Sequence, residues 1–354
     1  MKSLFILFIA ILLNSCTPEK NQTISNDLQK PDSVSIQTNQ TPSNPIESNI
    51  SQKIDLKVFF SKNSGSFSGG VDDLIIEDIN KAKESIYLAM YDFTNDKIKD
   101  ALLDAKNRGV DIQILTDDTK ILEEDYQDLN SSGVLIFSDK NSSGLMHNKF
   151  LIVDKKILWS GSANYTYYSF YRNSENLVKI VDENISRAYL EEFNELKNHQ
   201  FIPKSYRVGN IEIYFSPEDN FESRLITLID SAKSSINFLI FTFTDKDIAD
   251  ALLNAKRKGV KIKGVFDKKQ NDYQTYSKYD YLLQNGVDVR LYGGSFKLHD
   301  KVMIIDNQIV VTGSYNFTER ANTLNRENSL VINSKDIADI YKKEFDRVFE
   351  EATN

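Results

Sequence analysis

The segment His147-Asn148-Lys149-Phe150-Leu151-Ile152-Val153-Asp154, followed by Gly161-Ser162-Ala163-Asn164, recurs as His299-Asp300-Lys301-Val302-Met303-Ile304-Ile305-Asp306 and Gly313-Ser314-Tyr315-Asn316. In both copies the lysine stands two after the histidine, the aspartate five after the lysine, and the glycine seven after the aspartate. The chain holds three histidines in 354 residues, and two of them occupy these identical settings. Chance does not readily supply that. The pattern implies a single site assembled from two copies of a half-site.

Outward from the motif the duplication continues, at a period far longer than a solenoid repeat. Phe93-Thr94 matches Phe243-Thr244, Asp100 to Lys106 matches Asp250 to Lys256, and Gly109-Val110 matches Gly259-Val260, all at an offset of 150 (243 minus 93). The motifs lie at an offset of 152 (299 minus 147), so the connecting region differs by a net two residues. Phe60-Ser61 and Phe215-Ser216 open the copies. We therefore expect two tandem domains, 54–202 and 203–354, each long enough for its own core.

Within each copy, apolar runs of strand length alternate with helical patterns. Ser85 to Phe93 reads as a buried strand, and Asn95 to Arg108 as a helix with Ile98, Ala101, Leu102 and Ala105 on one face. Gly109 closes that helix. Val110 to Leu115 follows as a strand, then a helix near Ile121 to Leu129 and a strand near Val134 to Phe137. The second copy repeats the scheme with Ile236 to Phe243, Lys246 to Lys258, Val260 to Phe266 and Val287 to Leu291. Such alternation predicts an α/β sandwich with mostly parallel strands. The motif itself predicts a hairpin turning at Asp154-Lys155-Lys156 and Asp306-Asn307-Gln308. His147 and Lys149, two apart on one strand, then leave the same face, with Phe150 and Ile152 packed.

The formal net charge is -8 and the pI near 5.2, a bulk balance that leans against a duplex-binding protein. A single cysteine excludes disulfides and a cysteine-based zinc site. Cys16 ends Leu13-Asn14-Ser15-Cys16 after the apolar run Leu4 to Leu13, which is too short to span a bilayer. The arrangement resembles a bacterial lipoprotein signal, with 1–15 removed and lipid attached at Cys16. Residues 16–53, rich in Asn, Gln, Ser, Thr and Pro, then read as a disordered tether, reaching roughly 30 Å on average as a flexible coil. The expectation is an extracytoplasmic, membrane-anchored lipoprotein that works as a monomer.

The two motifs resemble the HxKxxxxD and GSxN signatures of the phospholipase D superfamily, over essentially the whole chain from about Asp55. This implies two pseudo-symmetric α/β sandwich domains of phospholipase D type with one shared active site. A phosphodiester repels anionic nucleophiles and has a poor leaving group, so its cleavage needs a neutral nucleophile, a proton donor and fixed positive charge. The two imidazoles supply the first two. By the resemblance, His147 is the nucleophile, forming a phosphohistidine, and His299 the general acid. Lys149 and Lys301, with Asn164, Asn316, Ser162 and Ser314, bind the phosphate oxygens. No metal or other cofactor is required. Each histidine needs a carboxylate to fix its tautomer, and one lies 28 residues beyond each: Glu175 (175 minus 147) and Glu327 (327 minus 299). Asp154 and Asp306 read as structural supports of the turns.

The leading functional expectation is a phospholipase D that converts a phosphatidylcholine-type phospholipid and water into phosphatidate and head group. Its rival is a metal-independent extracytoplasmic endonuclease acting on DNA or RNA. Phosphatidyl transfer is disfavoured by the lack of transmembrane helices, and a non-catalytic binding protein by the intactness of both motifs. The run Tyr165, Tyr167, Tyr168, Phe170, Tyr171 fits a wall for a choline-like cation, a stacking surface for bases, or plain core and rim packing.

Overall fold

Each repeat builds its own sheet in the computed structural model of the protein, which describes residues 46–48, 54–61, 67–140 and 143–353. The first sheet has seven strands in the order Asp55–Phe60, Asn176–Val181, Ile157–Gly161, Lys149–Val153, Ser85–Met90, Asp111–Thr116, Leu135–Ser138. The second runs Ile46–Ser48, Tyr206–Val208, Ile211–Ser216, Glu327–Asn333, Ile309–Gly313, Lys301–Ile305, Ser235–Ile240, Lys261–Asp267, Asp288–Tyr292. From Ile211–Ser216 onward it repeats the first sheet strand for strand.

The expectation of mostly parallel strands needs correction. Of the six pairings in the first sheet, only Ser85–Met90 with Asp111–Thr116, and Asp111–Thr116 with Leu135–Ser138, are parallel; the other four are antiparallel. A parallel pair needs a long crossover, usually helical, whereas a tight turn returns the chain antiparallel. The helix-strand alternation occupies only the first half of each repeat, and hairpins occupy the second.

Local signals account for the helices. Asp96–Asn107 starts where Asn95 Oδ1 accepts the Ile98 N–H at 3.2 Å, buries Ile98, Ala101, Leu102 and Ala105, and is closed by Gly109 at φ +90°. Its counterpart Lys246–Arg257 is capped by Asp245 and closed by Gly259 at φ +94°. The helix expected from Ile121 begins later, as Glu124–Ser131. Asp117 holds the chain in a turn first, its carboxylate accepting from Thr119 N–H and its carbonyl from Lys120 and Ile121.

Helices Val71–Lys81 and Asp96–Asn107 cover the outer face of the first sheet, as Phe221–Ser231 and Lys246–Arg257 cover that of the second. The inner faces share one apolar cluster. Phe150 and Ile152 from the first sheet, Val302 and Ile304 from the second, and Tyr189, Phe193, Tyr341 and Phe345 from helices Glu183–Asn198 and Lys335–Glu351 all belong to it. Burial of this shared surface, non-directional and proportional to apolar area, joins the repeats.

Ile46–Ser48 lies inside the segment expected to be a disordered tether, yet it pairs in parallel with Tyr206–Val208, using backbone groups that an edge strand otherwise leaves open. Cys16 and the leader before it lie outside the described residues. No helix among the described residues is long and apolar enough to cross a membrane.

Candidate active site

Both hairpins turn through two residues at positive φ: Asp154 and Lys155 at +50° and +53°, Asp306 and Asn307 at +53° and +49°. Positive φ at both central residues gives a twist that suits a hairpin, and three residues, 154–156 and 306–308, separate the paired Val153 and Ile157 and the paired Ile305 and Ile309. The Asp154 carboxylate accepts the backbone N–H groups of Lys83, Glu84 and Ser85 at 3.0, 2.8 and 3.1 Å. Asp306 accepts those of Lys233, Ser234 and Ser235 at 2.8, 2.7 and 3.0 Å, and the Ser234 hydroxyl at 2.8 Å. Burial works to raise the Asp306 carboxyl, but the bonds from Ser235, Ser234 and Lys233 outweigh it and hold it below its ordinary value. Both aspartates thus tie the hairpin to the start of a neighbouring strand.

The strand expected to carry His147 begins only at Lys149. Ahead of it, the chain pairs with the opposite repeat: Met146 bridges Arg326 and Leu298 bridges Ser174, both in parallel. His147 N–H donates to the Arg326 carbonyl at 2.9 Å, and His299 N–H to that of Ser174 at 2.8 Å. One position beyond each bridge stand a histidine and a glutamate. The carboxylates therefore pair across the repeats: His147 Nδ1 lies 2.7 Å from Glu327 Oε2, and His299 Nδ1 2.9 Å from Glu175 Oε2. Reading each glutamate with the histidine 28 residues before it assigns the wrong partner. Parallel bridging places residues after the bridge side by side, whichever repeat they come from.

The serines, expected on the substrate phosphate, are fully buried and donate instead to these glutamates. Ser162 Oγ reaches Glu175 Oε2 at 2.7 Å and Ser314 Oγ reaches Glu327 Oε2 at 2.6 Å. Each hydroxyl also accepts a backbone N–H, from Asn176 and Asn328, at 3.0 Å. The motif glycines permit this approach. A Cβ on Gly161 would sit 2.2 Å from the Asn176 carbonyl oxygen, and one on Gly313 2.1 Å from that of Asn328, with φ near +150° at both.

Lys149 Nζ donates to the His147 carbonyl at 2.8 Å and Lys301 Nζ to that of His299 at 2.5 Å. Burial pushes Lys149 down to about 7, against the pull of Glu327, and Lys301 down to about 8, against Glu175 and Glu327. Burial lowers His147, opposed by Glu327, and sets His299 well below its ordinary value, reinforced by Lys301, Lys149 and His147. Groups of both repeats thus act on each other within one site. Asn316 Oδ1 accepts the Thr242 N–H at 3.2 Å, while Asn164 faces a cleft beside His299.

Several contributors escaped the sequence reading. Tyr91 packs edge-on against His147, with ring centroids 5.6 Å apart, and Phe241 against His299 at 4.7 Å. Lys149 and Lys301 lie over the same two rings. The signal was present, since both precede the matched Phe93 and Phe243 by two. Asp117 and Asp267 accept the backbone N–H groups of Met146 and Leu298 at 2.8 and 2.9 Å, fixing the stretch before each histidine. Among the described residues, Asp117, Asp118 and Asp139 form a carboxylate group compact enough for a cation, but Asp117 already spends its oxygens on Met146 and Thr119.

An open cleft of about 280 Å³ leads to His299, lined by Asp92, Thr94, Asn164, Thr166, Tyr168, Ser169, Asn173 and Lys297. Of the tyrosine-rich run, Tyr165, Phe170 and Tyr171 are core, with Tyr171 donating to Asp72 at 2.7 Å. Only Tyr168, 64% exposed, lines the cleft.

The family model described as a cardiolipin synthase, PLD-like domain, matches residues 75–197 and again 225–349. A phospholipase D of Rickettsia typhi is 34% identical over 143 residues, 40% of this chain and 69% of that protein. A mitochondrial cardiolipin hydrolase of Xenopus tropicalis is 35% identical over 135 residues, 38% of this chain and 63% of that protein. The phospholipase D of Rickettsia prowazekii is matched over 60% of its length. The crystal structure of a phosphatidylserine synthase from Haemophilus influenzae shares the fold, with TM-score 0.66 and 14% identity over 84% of this chain and 87% of that one.

Proposed function

The chain belongs to the phospholipase D superfamily, and we propose that it is a phospholipase D that hydrolyses the distal phosphodiester of a glycerophospholipid to phosphatidate and free head group. The observation that carries this reading is the pair of crossed histidine-glutamate contacts with two buried lysines beside them.

With Nδ1–H given to Glu327, His147 presents the Nε2 lone pair to phosphorus. A P–N bond forms, the P–O bond to the head group breaks, and the proton on His299 Nε2 passes to the departing oxygen. His299 then takes a proton from water, whose oxygen displaces His147 and releases phosphatidate. Lys149 and Lys301 counter the charge on the non-bridging oxygens, with Asn164 and Asn316 as further donors. Ser162 and Ser314 position the glutamates. None of these roles calls for a metal.

One feature favours a second reading, an endonuclease: the exposed ring of Tyr168 beside Lys297 suits a stacked base and its phosphate. The test is to incubate the protein, with chelator, with phospholipid vesicles and separately with single- and double-stranded DNA and RNA. Phosphatidate release undiminished by chelator supports the phospholipase. Cleaved nucleic acid without phosphatidate replaces it with the nuclease, and activity that returns only with added divalent ion overturns the mechanism. Anchoring through lipid on Cys16 would place this site at a membrane face; a Cys16→Ser variant that still incorporated labelled fatty acid would exclude that anchor.

A further inference from the structure

Between histidine and lysine the second motif carries Asp300 and the first Asn148, and both side chains are buried. Asp300 Oδ2 accepts from the Ser174 hydroxyl at 2.6 Å, and its Oδ1 from the Asn176 amide at 2.8 Å. These donors stand immediately before and after Glu175, the carboxylate paired with His299. Ser174 is tied to the same stretch by its backbone as well, its N–H donating to the Lys297 carbonyl and its carbonyl accepting from His299, both at 2.8 Å. Asn176 N–H donates to the Ser162 hydroxyl, which in turn donates to Glu175. One carboxylate thus grips both flanks of the glutamate.

The first motif has no such grip. Neither polar atom of the Asn148 side chain has a hydrogen-bond partner among the described residues. Arg326 stands where Ser174 does (326 minus 174, the motif offset of 152) and gives its guanidinium to Glu218 instead. Asn328, the counterpart of Asn176, donates to the Ser160 hydroxyl at 2.8 Å and accepts the Lys149 N–H at 3.1 Å. Glu327 is therefore held without help from position 148. Hydrogen bonds to a carboxylate are stronger than those between neutral groups, so Asp300 fixes two donors where Asn148 fixes none.

We propose that Asp300 is a positioning residue for the acid half of the site: by holding Ser174 and Asn176 it fixes Glu175, and through Glu175 the imidazole of His299. The proposal rests on the reading of His147 as nucleophile and His299 as acid and then base. Asp300 is not among the residues that line the cleft, so it acts through these neighbours. Misplacing a reacting group by about 1 Å costs on the order of 10²-fold. Here the loss falls on the steps that move a proton through His299.

The experiment follows a single turnover of a labelled nitrophenyl phosphodiester by the full chain. Attack by His147 releases nitrophenolate without a proton donor, whereas loss of the label from His147 needs His299 to take a proton from water. Asp300→Ala should leave formation of the labelled enzyme within about threefold of wild type and slow its decay by about 10- to 100-fold. Ser174→Ala, which removes a single hydroxyl, should slow decay by at least about threefold. Asp300→Asn should restore decay to within about threefold of wild type, since its amide can accept from Asn176 and donate to Ser174. Equal slowing of both steps marks a general loss of structure and overturns the proposal. So does decay at the wild-type rate in both alanine variants, or an Asp300→Asn variant no better than Asp300→Ala. Label carried by His299 in the wild type, or no labelled enzyme at all, shows instead that the reading beneath the proposal has failed.

Discussion

His147 and His299 stand in matching frameworks, yet the carboxylates behind them differ. Glu327, paired with His147, is held below its ordinary value despite its burial. Glu175, paired with His299, is pushed up to about 7 by burial, which outweighs the opposing pull of Lys301. His147, Lys149 and Ser314 together outweigh burial at Glu327, whereas Lys301, Ser162, Asn173 and Ser169 do not at Glu175; the two surroundings also differ in sequence. Where one half-site has Tyr91, Asp92, Leu145 and Asn148, the other has Phe241, Thr242, Lys297 and Asp300. Lys297 adds to the charges that depress His299. Burial pushes Asp300 up to about 6, even as it accepts from Ser174 and Asn176. Two copies of one scaffold thus hold two unequal imidazoles, His299 being the more strongly depressed.

The largest expected effect tests the crossing itself. Glu327→Gln and Glu175→Gln should each lower kcat by about 10²- to 10⁴-fold, since each carboxylate orients an imidazole and steadies its charged form. The pairing is read by following the histidine ring signals by NMR as pH is varied. Glu327→Gln should shift the titration of His147 and leave that of His299 nearly in place, with the converse for Glu175→Gln. The opposite pattern would restore pairing within each repeat.

A smaller effect separates the lysines. Because kcat/KM reports the free enzyme, it should fall as pH rises through 7 to 8, where Lys149 and then Lys301 lose the charge that receives the phosphate. Lys149→Met should leave residual activity whose decline is centred nearer 8. Stability should move the other way. Both lysines titrate in the folded protein far below the ordinary 10.5, so above pH 7 to 8 the unfolded chain binds more protons and folding gains stability up to about that value. An alkaline limb no different from that of an exposed lysine would contradict the burial of these amines.

The smallest effect compares the turns. Asp154→Ala and Asp306→Ala should each cost about 1–3 kcal/mol in denaturant unfolding, with Asp306 the costlier because it also holds the Ser234 hydroxyl. The Asp306 contribution should be full above the ordinary carboxylate range and fade as pH falls through its lower folded value. Equal losses of activity and stability in these variants would make the aspartates more than supports.

The sequence showed the duplication, the helix Asp96–Asn107 with its buried face and closing glycine, the hairpins, and the histidine-lysine pairs, because periodicity and fixed spacing write these locally. The crossed glutamates were hidden by the duplication itself. Glu175 and Glu327 lie at the same distance beyond their own histidines, so spacing cannot tell a partner within the repeat from one across it. Only the bridges Met146 to Arg326 and Ser174 to Leu298 decide. The serines were misplaced for a related reason: a hydroxyl recurring in both copies beside a phosphate site suggests the substrate, while Gly161 and Gly313 in fact draw the backbone close enough to aim it at a glutamate. Tyr91 and Phe241 differ in identity, so the repeat comparison passed over them.

The division of labour between the halves is tested most directly by trapping the intermediate on a labelled nitrophenyl phosphodiester, whose leaving group departs without a proton donor. With His147 as nucleophile, His299→Ala should accumulate acid-labile, base-stable phosphate on His147, because attack proceeds and the group that activates water is gone; His147→Ala should form none. Label on His299 in the His147→Ala protein would reverse the roles, as the deeper depression of His299 would favour, and equal turnover by both variants would contradict a shared site.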